Sequence, residues 1–168
     1  MLVKFRSLGI QVLLFFIVFQ GISYVREMSM LSTDVELSSP KKKSFTQVPT
    51  LMGETVSLNS QGKTTVLYFF APWCQICHLS IGNLQNLYEK NEQLDVIAIA
   101  MDYMNDEEVL AFTTQHELTF PIALGNEAIK HAFSISAFPS YYVIDEKNTV
   151  VGKSMGYSSE LGLYLRSL

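Results

Sequence analysis

Two cysteines are all that this chain of 168 residues contains, and they stand three positions apart, so it has no framework of several bridges to staple a small secreted domain. Histidines number three, His78, His116 and His131, which with the cysteines makes a poor match to the four-ligand set of a structural zinc site. Basic residues are sparse as well. Twelve Lys and Arg against 16 Asp and Glu leave a net charge of −4, and Lys41-Lys42-Lys43 is the longest basic stretch. That is no electrostatic footprint for a polyanion, and nucleic acid is excluded as a partner. No internal repeat is visible and no cofactor is expected.

What is present is core material. Apolar residues make up 48% of the chain and aromatics 12%, enough for one packed domain and against wholesale disorder. The length leaves room for one domain plus an N-terminal segment.

That segment is a mostly apolar run from Leu8 to Val25, preceded by Lys4 and Arg6. It reaches spanning length and lacks the polar face of a globular helix. No small-x-small cleavage site follows it, and no cysteine is available for a lipid anchor. Residues 1–26 therefore read as a membrane anchor or a signal segment, with the retained anchor favoured. The charges before the run place the N-terminus inside and the domain outside. Residues 27–44, polar and serine-rich, read as a linker, and the folded domain is expected over 45–168.

Within the domain, two short extended pieces around Gly53 suggest a hairpin. Thr64 to Phe70 is β-branched and aromatic without alternation, as a central strand covered on both faces should be. From Cys74 to Lys90 the spacing turns helical, with Leu79, Leu84, Leu87 and Tyr88 on one face. A second buried strand, Leu94 to Ala100, precedes a helix from Asp106 to His116. A short extended piece at Phe120 to Leu124, a short helix from Asn126 to Phe133, a hairpin pairing Tyr141–Ile144 with Thr149–Ser154, and a helix from Ser158 complete the order. It implies an α/β fold, with a mixed central sheet between helices in three layers.

The chemistry sits in Ala71-Pro72-Trp73-Cys74-Gln75-Ile76-Cys77, where a strand hands over to a helix. Cysteines at i and i+3 on a first helical turn can close and reopen a disulfide. The first lies at a helix N-terminus, where free N–H groups favour an anion, so Cys74 is the expected attacking thiolate and the deeper Cys77 the resolving thiol.

Strand-Ala-Pro-Trp-Cys-x-x-Cys-helix, with Phe138-Pro139-Ser140-Tyr141-Tyr142-Val143-Ile144-Asp145, resembles the thioredoxin superfamily over residues 45–168. The N-terminal anchor, the entry Gly53 to Leu58 and the strand and helix inserted after Val96–Ala100 are similar to its TlpA/ResA/DsbE branch, of the AhpC/TSA-redoxin-like kind. That resemblance implies a membrane-anchored thiol-disulfide oxidoreductase of the bacterial inner membrane, its domain facing the periplasm or cell exterior. It implies a thioredoxin-like fold and protein disulfides or dithiols as substrates. It also implies a membrane disulfide transporter as electron donor, with the reducing direction favoured. By the same resemblance Pro139 is a cis-proline beside the sulfurs, Phe138 offers its backbone to the partner chain, Trp73 forms the rim, and Gln75 and Ile76 shape the site. The chain departs from the family pattern at three positions. Tyr68 stands where thioredoxin has a buried Asp, Ser80 where TlpA-type reductases often have Glu, and Gly82 where many members have Pro.

Three other readings use the same residues. Cys74-x-x-Cys77-His78 matches the c-type haem attachment signature, with His78 as axial ligand. Copper handling could use both thiols and His78. A peroxidase of the peroxiredoxin kind shares the fold but requires Thr where Ala71 stands. His116 and His131 are read as lying in helices away from the site.

Overall fold

The computed structural model describes residues 2–37 and 47–167; the expected domain start near Phe45 and the lysine triplet fall outside them. The chain begins with α1 (Leu2–Met28), followed by the hairpin β1 (Val48–Pro49) and β2 (Thr55–Val56). Then come β3 (Thr64–Phe70), α2 (Gln75–Lys90), β4 (Leu94–Ala100), α3 (Asp106–Gln115), β5 (Ile122–Leu124) and α4 (Glu127–Ala132). The antiparallel pair β6 (Ser140–Ile144) and β7 (Val150–Met155) and the helix α5 (Glu160–Arg166) close the chain.

Five strands form one sheet in the order β5-β4-β3-β6-β7. β4 runs parallel to β3 and to β5, while β6 runs antiparallel to β3 and β7, so the sheet is mixed. β3 is its centre, and every residue from Thr65 to Phe70 is buried. Its β-branched and aromatic side chains alternate between two cores. Val66, Tyr68 and Phe70 pack with Leu84 of α2, Phe112 of α3 and Leu163 of α5. Leu67 and Phe69 pack on the other face with Ile129 of α4 and Phe133. Helices on both faces of the sheet make a thioredoxin-like three-layer arrangement.

The helical face expected of α2 is corrected at one position. Leu79 is 68% exposed, whereas Cys77, Ser80, Ile81, Leu84 and Leu87 face the sheet. Counting from Cys77, the intervals of three and four residues carry the buried stripe past Leu79.

At the N-terminal end, the described side chains of α1 from Ile10 to Ile22 form an exposed, largely apolar surface. Among the described residues no helix is long and apolar enough to cross a membrane. Beyond α1 the chain lies along β7: Asp34 N–H donates to Val150 O at 2.8 Å, Leu37 N–H to Asn148 O at 2.8 Å, and Met30 and Leu37 are buried in the second core. Part of the segment read as a linker is thus laid against the sheet edge.

Candidate functional site

The buried strand β3 ends at Phe70, and Ala71-Pro72-Trp73 turns the chain into α2. Cys74 is the N-cap of that helix: its backbone is extended, and its Sγ accepts the Cys77 N–H at 3.2 Å. The first N–H groups of a helix lack intrahelical acceptors, and the Cys74 sulfur meets one of them. The two cysteines are free thiols here. Cys74 keeps 7% exposure and Cys77 none. Burial first, and the hydrogen bond with Cys74 second, push the Cys77 thiol well above its usual range. Both thiols are thus buried, Cys74 on the helix N-terminus with a little exposure left and Cys77, a turn deeper, with none and held protonated.

Of the other expected site residues, Trp73 and Phe138 meet. Trp73 is 61% exposed and meets the Phe138 ring edge-on, centroids 6.0 Å apart. The Phe138–Pro139 peptide bond is cis. Ser140 pairs with Phe69, which puts Pro139 beside the end of β3. Gln75 and Ile76 are exposed on the first turn of α2.

The rim has further members that the sequence reading left out. Trp73 Nε1–H donates to the backbone oxygen of Asp102 at 2.9 Å. The Asp102 carboxylate pairs with Lys130 at 2.7 Å, and the Lys130 ammonium lies 5.9 Å from the centre of the Phe138 ring. Asp102 is the second residue past the end of β4, and loops at the carboxyl ends of strands are where α/β sheets build their sites; that position was the available signal.

Below the pair, Tyr68 and Ser80 are both buried, and their hydroxyl oxygens lie 2.6 Å apart. Burial pushes the Tyr68 phenol far up, so both hydroxyls are neutral in the working range.

The placement of His116 away from the site is overturned. His116 Nε2 lies 2.7 Å from His78 Nδ1, while His78 Nε2 lies 2.9 Å from Pro72 O. Separated by 38 positions in sequence, the two rings are joined by the packing of α3 on α2, which no local pattern records. An axial ligand to haem would have to give up one of these bonds. His131 is exposed in the last turn of α4. Among the described residues no group of three or more His, Cys, Asp or Glu side chains could hold a metal ion.

Comparison with known proteins agrees with this geometry. Residues 41–153 match the AhpC/TSA family. The thiol-disulfide oxidoreductase ResA of Bacillus cereus (strain ATCC 10987 / NRS 248) is 26% identical over 171 aligned residues, 98% of each chain. ResA of Bacillus thuringiensis subsp. konkukian (strain 97-27) is 30% identical over 127, covering 72% of this chain and 73% of that one. The crystal structure of StoA from Bacillus subtilis superposes with a TM-score of 0.65 at 22% identity, over 73% of this chain and 95% of that one, a likeness of fold. With a redox-spaced thiol pair on this fold, the chain belongs to the AhpC/TSA family and, within the thioredoxin superfamily, is a ResA/DsbE-like oxidoreductase.

Proposed function

We propose that the protein exchanges disulfides with exported proteins through Cys74 and Cys77, working in the reducing direction. The observation that carries this reading is the asymmetry of the pair, a capping sulfur that keeps a little exposure and a fully buried thiol that resists ionisation.

The Cys74 thiolate attacks one sulfur of a partner disulfide, forming a mixed disulfide and releasing the other partner sulfur as a thiolate, which takes a proton. Cys77 then loses its proton and attacks Cys74 Sγ, breaking the mixed disulfide and releasing the second partner thiol. The partner gains two electrons and two protons, and the Cys74–Cys77 disulfide records their loss. In strong oxidants of this fold the reduced form is the stabilised one. Here Cys77 is held as a neutral thiol, so it lends the reduced form none of the anion stabilisation that makes a strong oxidant.

Renewal of the dithiol calls for an external dithiol, for which a membrane disulfide transporter is the fitting donor. The apolar run Leu8 to Val25, with Lys4 and Arg6 ahead of it, supports a tether in a bacterial inner membrane with the domain on the periplasmic or outer side. Insulin reduction that is lost in Cys74→Ser, together with a redox potential toward the thioredoxin end of the scale, supports the reading. Turnover unaffected by Cys74→Ser refutes it.

A further inference from the structure

His78 directly follows the second cysteine, and its ring turns back over the start of α2. A carbonyl oxygen only accepts, so Nε2 of His78 carries a hydrogen and donates it to Pro72 O across 2.9 Å. With the ring neutral, Nδ1 is an acceptor, and the donor facing it at 2.7 Å is Nε2–H of His116. The Phe112 ring lies 4.7 Å from each imidazole and stacks on Phe70 at 4.5 Å. A continuous path therefore runs from His116, the C-cap of α3, through His78 to the carbonyl two residues ahead of Cys74.

The next residue of the same turn is held from another element, since the Trp73 indole N–H is bound by Asp102 O. Both ties bear on where Cys74 sits, and Cys74 Sγ must stay within reach of the Cys77 N–H at 3.2 Å to be stabilised as an anion. Both nitrogens of His78 are committed to Pro72 and His116, so the ring acts through the backbone and not as a base for either thiol. The contact needs one hydrogen between the rings, and two imidazolium ions so close would repel. Burial holds His116 toward its neutral form.

We propose that His78 and His116 are positioning residues for the redox pair, a two-ring brace on the Pro72 carbonyl that fixes the turn presenting Cys74 and so sets how fast its thiol attacks. The inference rests on Cys74 being the attacking thiol.

Alkylation by iodoacetamide, followed on the reduced full chain at neutral pH with the labelled cysteine identified by mass spectrometry, separates the two claims. Leucine at 116 offers His78 no donor, whereas glutamine offers an amide N–H. Labelling of Cys74 is expected to slow about fivefold in His116→Leu, the scale of one lost hydrogen bond, and to recover to within about twofold in His116→Gln. Unchanged labelling in a folded His116→Leu chain, or a His116→Gln chain as slow as His116→Leu, overturns the brace. Where His116→Leu does not fold, nitrogen NMR of the unaltered protein above pH 7 decides. Hydrogens on Nε2 of both rings are expected, and a neutral His78 carrying its hydrogen on Nδ1 overturns the brace. A label on Cys77 in place of Cys74 removes the assignment of the attacking thiol itself.

Discussion

The hydroxyl of Tyr68 lies 2.6 Å from that of Ser80, on the buried side of the redox helix. These are two of the positions at which the chain departs from its family's pattern, each having lost an acid, and the replacements are bonded to one another. Two neutral hydroxyls satisfy each other without burying a charge, which a carboxylate there would do at a cost.

Tyr68→Phe leaves the Ser80 hydroxyl buried without this partner. A loss of stability of about 1–2 kcal/mol is expected in urea denaturation. The rate of insulin reduction should change less than about threefold, because neither hydroxyl is a base near neutrality. A fall of more than about tenfold at unchanged fold would instead make the pair a proton path for Cys77.

The raised Cys77 thiol gives the reduced protein its own dependence on pH. In the folded reduced chain Cys77 keeps its proton above the ordinary thiol value of 9.0, where the unfolded chain gives it up. The folded state then binds more protons, so this contribution is complete below 9.0 and lost as the pH rises beyond it. Tyr142, pushed up to about 12 by burial, acts alike in both redox forms and cancels, as does the burial that is the largest cause of the Tyr68 shift. Paired denaturation curves from pH 8 to 10.5 should show the reduced form losing stability relative to the oxidised one above about pH 9. A constant difference would contradict the buried, protonated thiol.

Gly125 packs against the end of β4, which leads into the loop that holds Trp73. A Cβ built there would lie 2.7 Å from the Ala100 carbonyl oxygen and 2.9 Å from Ile99 Cγ2, and the backbone has no room to yield. Gly125→Ala should therefore cost about 1–3 kcal/mol. The chain has a single tryptophan, so its fluorescence reports Trp73 alone and should shift as Asp102 moves. Unchanged stability and emission would show that the loop after β4 is not tied to this contact.

Much of the fold is legible in the sequence because its central strands are short, largely apolar and bounded by turn residues. Thr64–Phe70 and Leu94–Ala100 are strands with the expected limits. The caps of α3 and α4 were not singled out, though Asn105 and Asn126 accept the N–H groups of Glu108 and Ile129 at 3.0 Å. The helix start at Cys74 followed from the change of spacing there. Leu79 was misplaced because leucine spacing alone does not fix a helix face; the buried cysteine and serine of α2 do. The His78–His116 contact, the Asp102–Lys130 pair and the Tyr68–Ser80 bond are all tertiary, joining residues at least 12 positions apart. Periodicity carries no trace of such contacts.

Family membership raises peroxide as a possible oxidant, and the site argues against fast reaction. Peroxidases of this fold use a threonine hydroxyl three residues before the attacking cysteine, and here Ala71 is buried at that place with no hydroxyl to offer. Cys74 sulfenic acid should form at a rate close to that of an ordinary thiolate, measured by competition against a catalytic peroxidase. Rapid oxidation would reverse the assignment.

The division of labour between the two sulfurs is tested most directly by trapping. Cys77→Ala, mixed in reduced form with a disulfide-bonded protein and resolved by mass spectrometry under non-reducing conditions, should accumulate a stable covalent adduct at Cys74. Cys74→Ala should form none. Adducts on Cys77 in the second variant, or none on Cys74 in the first, would contradict the account.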